Sequence, residues 1–445
     1  MNALTFITCG SVDDGKSTLI GRLLLDSKAI LSDQLANASN TSHRTDDGQQ
    51  PDLAAFTDGL QAEREQGITI DVAWRYFATP ARKFIIGDTP GHVQYTRNMV
   101  TAATNADAAV VLVDATKLDW QNPALELLAQ TRRHSLLVNR LRVPSVVFAI
   151  NKLDAVDDPQ TAFTNISAAL HHFAALGQID CAGTVPVSAL MGYNVVLAHP
   201  GWAGYHGPSL LALLEGLPTI AELESISAAA QPPSLPHLAV QWVENRNTVP
   251  LGLQGRRIYW GRLAVGTISV GSLLQLSPSG QHAQVAQLLT TTRQDLGNLP
   301  AQAGDTVGVV LDREIDISRG DWLIARQASL GSQRTTATIA WLDEQPLNVG
   351  RTYWALHGHR WVKVKVCAID HQIDIATLTT SPTDTLVANS IGQVQLHFQT
   401  PLPLAPYATS RVLGSLILVD TASHSTAAAV LINAEKNHLQ PNHDL

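Results

Sequence analysis

Gly10-Ser11-Val12-Asp13-Asp14-Gly15-Lys16-Ser17 decides how this chain is read. The run has the spacing G-x-x-x-x-G-K-S, and its flanks complete the pattern. Residues 3–9 are apolar and predict a buried strand, while Thr18 opens a helical pattern that runs to Leu25. Backbone N–H groups converge on phosphate only where the chain curls tightly, which Gly10 and Gly15 permit; the helix start adds the positive end of its dipole. The loop from Gly10 through Thr18 is therefore expected to cradle phosphates, with Lys16 reaching the β- and γ-phosphates and the Ser17 hydroxyl ligating Mg²⁺. The run predicts a nucleoside triphosphate site.

Three further segments identify the base. Asp88-Thr89-Pro90-Gly91-His92 follows an apolar strand over 83–86. A carboxylate there holds Mg²⁺ through water, and the Gly91 N–H can meet a γ-phosphate and lose it when that phosphate leaves. Asn151-Lys152-Leu153-Asp154 closes a third apolar strand over 145–150. Asp154 can accept two hydrogen bonds from the N1–H and N2–H₂ edge of guanine, and adenine offers no matching donors. Losing both bonds costs roughly 2–5 kcal/mol, enough for strong selection. Ser188-Ala189-Leu190 follows a fourth strand and can present backbone N–H groups to guanine O6. Ligands of open α/β sheets bind at the carboxyl ends of the strands, and all four segments fall there in order. The expected ligand is GTP.

Glu63-Arg-Glu-Gln-Gly-Ile-Thr69-Ile70 resembles the first switch segment of the translation-factor GTPases of the elongation factor Tu type. That resemblance implies that Thr69 joins Ser17 and Asp88 around Mg²⁺, and that His92 positions the attacking water beside Lys16 and Gly91. Within the superfamily the phosphate loop, with Ser11 and Asp14, is similar to something narrower. So are residues 18–27 and 58–71, His92-Val-Gln-Tyr-Thr-Arg-Asn-Met99, Gln130-Thr-Arg-Arg-His-Ser135 and Glu314-Ile-Asp-Ile-Ser-Arg-Gly-Asp321. They resemble the GTPase (large) subunit of bacterial heterodimeric sulfate adenylyltransferase. The likeness implies a GTPase coupled to formation of adenylyl sulfate and pyrophosphate from ATP and sulfate, the latter chemistry residing on a smaller catalytic subunit. Two departures stand out: the segment 115–129 is longer than the short link expected, with a small extra helical turn predicted at Pro123, and Val93 replaces a polar residue beside His92. The chain also starts almost on its first strand, so by that likeness an N-terminal extension that relatives use to hold the partner is expected to be missing. No second phosphate loop follows, so adenylyl sulfate kinase activity is not expected.

Length and composition bound the rest. The chain has 445 residues, 45% hydrophobic and 15% charged, with a net charge of −8. That composition describes packed globular protein of about two to four domains, and the acidic balance argues against a broad nucleic-acid surface. Cys9, Cys181 and Cys367 form no C-x-x-C pair, consistent with reduced thiols and a cytoplasmic setting. No apolar run approaches the ~20 residues needed to span a bilayer, so no membrane association is expected.

Residues 1–218 alternate strands and helices as a parallel sheet requires, and predict an α/β P-loop GTPase domain. Candidate strands lie at 3–9, 68–76, 83–87, 108–113, 145–150 and 183–187, with helices beginning near Lys16, Tyr95, Gln130 and Pro159. The polar stretch 31–53 is expected to be a mobile switch segment. Residues 219–236, rich in proline and alanine, read as a linker. Short alternating strands over 237–331 and again over 332–436 predict two β-barrel domains, an elongation-factor-like three-domain plan, and 437–445 a frayed tail. His357, His359 and His371 lack metal-site context and are expected to be solvated loop histidines; Arg351, Arg360, Lys363 and Lys365 are expected on a solvated strand face. Arg319-Gly-Asp321 is expected to be a turn. The alternative from another class is a translation-type factor delivering aminoacyl-tRNA, supported by the same switch segment; a paralogue that binds GTP without a partner is a third.

Overall fold

The computed structural model describes residues 3–27, 53, 72–91, 99, 102–104, 106–223, 234–245, 257–374 and 379–434. Thr69, His92, the helix expected at Tyr95, most of the 31–53 stretch, the core of the linker and the tail lie outside them.

The N-terminal unit is built on strands β1 (Leu4–Cys9), β2 (Ala73–Ala78), β3 (Lys83–Asp88), β4 (Ala108–Asp114), β5 (Ser145–Asn151) and β6 (Cys181–Pro186). Their order across the sheet is β2-β3-β1-β4-β5-β6. Only β2 runs antiparallel to its neighbour; the other pairings are parallel. Every residue of β4 and β5 is buried, the signature of strands covered on both faces. Register then fixes the site: Thr8 pairs with Asp88 and Asp114 with Asn151, so the strands end level with one another. The helices that concern the site are α1 (Lys16–Asp26), α2 (Ala129–Arg140) and α3 (Pro159–Gly177). Asp158 caps α3, accepting from the Thr161 N–H at 3.1 Å, with proline in the first turn.

No helix forms at Pro123. Asn122 Oδ1 accepts from the Ala124 N–H at 2.9 Å and Asn122 O from the Leu125 N–H at 3.1 Å, so the asparagine closes a single turn and the chain continues extended to α2.

The second unit contains two closed barrels. In the first, strands Leu273–Ser277, His282–Leu289, Thr306–Leu311, Ile258–Val265, His237–Glu244 and Trp322–Ala325 pair in a ring. In the second, Thr352–His357, Ser415–Asp420, Thr426–Ile432, Ser332–Trp341, Ile391–Leu402 and Arg360–Ile373 follow in order, and the last pairs back onto the first. Arg411–Gly414 is a helical turn, capped by Ser410 through the Leu413 N–H at 3.3 Å. Closure removes sheet edges, and each barrel encloses its own aliphatic core.

The barrels meet around Trp322, fully buried, whose ring stacks on His357 with centroids 5.2 Å apart. His357 is thus not a solvated loop residue: it is wholly buried and its Nε2 lies 3.2 Å from Leu413 O. Burial pushes its imidazole down to about 4, only partly opposed by that carbonyl. The expected basic face is likewise partly neutralised, since Arg360 pairs with Asp321 and Arg351 with Asp420. Residues 319–320 form the expected turn, closed by the Asp321 N–H on Ser318 O at 3.1 Å. Among the described residues no helix is long and apolar enough to cross a membrane, and no cluster of three His, Cys, Asp or Glu side chains can hold a metal.

Candidate functional site

The phosphate loop leaves β1, which lies between β3 and β4, and enters α1 directly. Left-handed or glycine-type backbone at Gly10 (φ 152°), Asp13 (φ 63°) and Gly15 (φ 91°) produces the curl. Gly15 admits no side chain: a Cβ there would lie 2.5 Å from Asn151 Nδ2. Helix α1 has no side-chain cap and no acidic residue in its first turn, so its leading N–H groups and dipole face outward for an anion. Inside the curl Asp14 Oδ2 accepts from the Ser11 N–H at 2.6 Å. The buried Lys16 ammonium donates to Ser11 O at 2.7 Å and Gly10 O at 3.2 Å. Burial lowers its pKa, and the carboxylates of Asp88 and Asp14 oppose the shift.

Asp88 ends β3 beside this loop. Its Oδ1 accepts from Thr8 Oγ1 at 3.1 Å and its Oδ2 from Ser17 Oγ at 3.3 Å. Thr89 turns inward and donates to Thr8 O at 2.5 Å, fixing the exit of the strand. A hydroxyl and a carboxylate converging next to an ammonium are hard oxygen donors of the kind a small divalent cation prefers, so Ser17 and Asp88 fit Mg²⁺. Gly91, after Pro90, lies against the loop so closely that a Cβ would meet Lys16 Nζ at 2.6 Å and Val12 N at 2.9 Å.

The base-recognition segments gather at the same edge. Buried Asn151 donates from Nδ2 to Asp14 O at 2.8 Å and accepts the Ala189 N–H on Oδ1 at 3.0 Å. It is therefore a tie between the phosphate loop and the 188–190 segment. Asp154 is exposed, and its carboxylate has no hydrogen-bond partner among the described residues. The Ser188–Leu190 amides are not equivalent: Ser188 N donates to Tyr193 O, Ala189 N to Asn151, and only the Leu190 N–H is without an acceptor among the described residues. Arg22, an arginine of unassigned role in the sequence, is a buttress for that segment, donating to Ala189 O at 3.2 Å and to Leu190 O.

Sequence reasoning missed four participants. Asp114, at the end of β4, pairs with Lys152 at 2.8 Å. Burial pushes its carboxyl up, but hydrogen bonds from Lys152 and Thr116 outweigh that and hold it below the usual range. Lys117 reaches Val12 O at 2.7 Å and Asp14 Oδ1 at 2.9 Å. On α2, His134 Nδ1 accepts the Gly10 N–H at 3.2 Å and Gln130 Nε2 reaches Gly91 O at 3.1 Å. The position of Asp114 at a strand's carboxyl end was the available signal; for Lys117 there was none, and Gln130 and His134 stood out only as part of a quoted likeness.

Residues 1–236 match the family model "Elongation factor Tu GTP binding domain", and 334–433 match "GTP-eEF1A C-terminal domain-like". Sulfate adenylyltransferase subunit 1 of Laribacter hongkongensis is 42% identical over 436 residues, covering 97% of this chain and 85% of the relative. The protein of the same description from Citrobacter koseri is 43% identical over 441 residues, covering 98% and 87%. Among solved structures, Sup35 complexed with GDP aligns with 98% of this chain and 95% of its own at 19% identity, with a TM-score of 0.42.

Proposed function

The chain belongs to the sulfate adenylyltransferase subunit 1 family of GTPases, and from that premise we propose that it hydrolyses GTP to drive adenylyl sulfate formation on a smaller catalytic subunit. The single observation that carries this is the combination, in one chain, of near-full-length identity to those relatives with four guanine-nucleotide segments at one sheet edge. The translation-factor alternative rests on the GTP-binding domain and the C-terminal barrel, which both readings contain.

In the proposed mechanism the N–H groups at the start of α1, from Gly15 to Thr18, bind the phosphates while Lys16 leaves its two loop carbonyls for the β- and γ-phosphate oxygens. Ser17, Thr69 and Asp88 would hold Mg²⁺, which when bound would supply charge neutralisation to the phosphates. His92 orients a water for in-line attack on the γ-phosphorus. The bridging P–O bond breaks toward GDP, phosphate leaves, and the Gly91 N–H loses its acceptor. Asp154 takes the guanine donors, Lys152 flanks the base from its anchor on Asp114, and Leu190 offers its N–H to O6. The partner reads the change through the segments around Thr69 and after Asp88, because coupling requires different affinity for the partner in the GTP and GDP states. We place the domain limits at 218, 237, 332 and 436, and the protein in the cytoplasm, where its three free thiols would stay reduced.

The test is GTP hydrolysis by this chain alone, with the small subunit, and with the small subunit plus ATP and sulfate. Stimulation that needs all three supports the reading; a rate indifferent to ATP and sulfate contradicts it.

A further inference from the structure

A loop whose N–H groups converge on an anion must turn its carbonyls the other way. In this chain two of those carbonyls are taken by lysines: Lys117 Nζ lies 2.7 Å from Val12 O, and Lys152 Nζ lies 2.6 Å from Asp13 O. Both ammonium groups share one anchor, Asp114 Oδ2, at 3.8 Å from Lys117 and 2.8 Å from Lys152. Asp114 is itself fixed by its other oxygen, which accepts from the Thr116 N–H at 3.0 Å and the Thr116 hydroxyl at 2.6 Å, capping the short turn that carries Lys117.

Lys117 has a further contact that Lys152 lacks. Its ammonium meets Asp14 Oδ1 at 2.9 Å, and Asp14 is a fully buried carboxylate inside the phosphate loop. The other oxygen of Asp14 shapes the loop by accepting the Ser11 N–H at 2.6 Å. A negative charge at that place pre-forms the curl but repels a polyanionic ligand. A cation on its far side cancels the repulsion while leaving the hydrogen bond to Ser11 intact. Among the described residues the other cation acting on Asp14 is Lys16, which the phosphates themselves would engage.

We propose that Lys117 is a positioning residue for nucleotide binding: it never touches GTP, but neutralises Asp14 and holds the Val12 carbonyl outward so that the phosphate loop accepts an anion. The proposal rests on the reading that this loop binds GTP.

The experiment is the affinity of the full chain for a fluorescent GTP analogue, measured for the parent, Lys117→Met, Lys117→Arg and the double variant Lys117→Met with Asp14→Asn. Lys117→Met is expected to weaken binding about tenfold, equivalent to ~1.4 kcal/mol. Lys117→Arg should stay within about threefold of the parent, since the charge is kept. The double variant should bind more tightly than Lys117→Met alone, because asparagine keeps the acceptor for Ser11 and removes the uncompensated charge. A general structural defect would not be repaired by a second substitution in the same loop. Binding by Lys117→Met within twofold of the parent, or further loss in the double variant, would overturn the assignment while leaving the GTP reading standing. A parent that binds no GTP would overturn that reading and the assignment with it.

Discussion

His134 Nδ1 accepts a hydrogen bond from the Gly10 N–H at 3.2 Å, so helix α2 grips the phosphate loop at its first residue. Because a backbone N–H can only donate, the ring nitrogen facing it carries the lone pair and the imidazole proton sits on Nε2. The Gln130 side-chain nitrogen lies 2.9 Å from that Nε2 without bonding to it, since both are donors, and donates instead to Gly91 O at 3.1 Å. Two residues one turn apart on α2 thus hold the first residue of the phosphate loop and Gly91. His134→Phe leaves the buried Gly10 N–H without an acceptor, which costs about 1–3 kcal/mol. Urea unfolding should show that loss, and His134→Gln, whose amide oxygen can accept, should recover part of it. Equal stability of the phenylalanine variant would remove His134 from this role.

Gly91 and Gly21 separate binding from folding. A methyl at Gly91 would run into Lys16 Nζ and the Val12 amide, at 2.6 and 2.9 Å, displacing the groups that face phosphate. Gly91→Ala should lose GTP binding by more than about tenfold with little change in melting temperature. A methyl at Gly21 would lie 2.1 Å from Leu53 O and meets no group of the phosphate loop among its nearest atoms. Gly21→Ala should lower the melting temperature instead. Calorimetry and nucleotide titration on both variants check the contrast.

How much of this was legible beforehand follows from where information is local. The phosphate loop, Asp88, Asn151 and the strand ends could be read because each combines a short residue pattern with a strand that is apolar along its whole length. Within the barrels, His282–Leu289 and Thr426–Ile432 carry little strand signal of their own: alanine is frequent in both, and barrel closure, not propensity, makes them strands. His357 looked like a loop histidine because its burial comes from Trp322 in the other barrel, far away in sequence. Lys117 and His134 were illegible as site residues for the same reason, since their partners at Asp14 and Gly10 are more than a hundred positions distant.

Two imidazoles make stability depend on pH. Burial, with the Lys16 and Arg133 charges adding to it, pushes His134 down to about 3, and burial pushes His357 to about 4. Unfolded histidine titrates near 6.5, so between that value and about 4 the unfolded chain binds protons that the folded chain does not. Stability is therefore full above pH ~6.5 and falls on acidification, by up to about 1.4 kcal/mol per pH unit for each group. Unfolding free energies at pH 7, 6 and 5 should show that slope, and His357→Phe should flatten it. An unchanged slope in that variant would contradict the assignment for His357.

The joint between the barrels rests on Trp322. Its fully buried ring packs on His357 and near Leu413, while Arg360 pairs with Asp321 next to it. Trp322→Ala should cost about 3–5 kcal/mol, the usual penalty for emptying such a site. Arg360→Ala, at a partly exposed pair, should cost less than about 1 kcal/mol. Denaturation followed at both barrels distinguishes the two.

The central claim is that GTP hydrolysis on this chain drives an uphill reaction on its partner, and the most direct measurement is the amount of adenylyl sulfate at the plateau. The chain and the small subunit are incubated with ATP and sulfate, with and without GTP, using the parent and Lys16→Ala. The account predicts a plateau with GTP well above that reached without it, and no such excess with Lys16→Ala. A plateau that GTP leaves unchanged, with GTP nonetheless being hydrolysed, would contradict it.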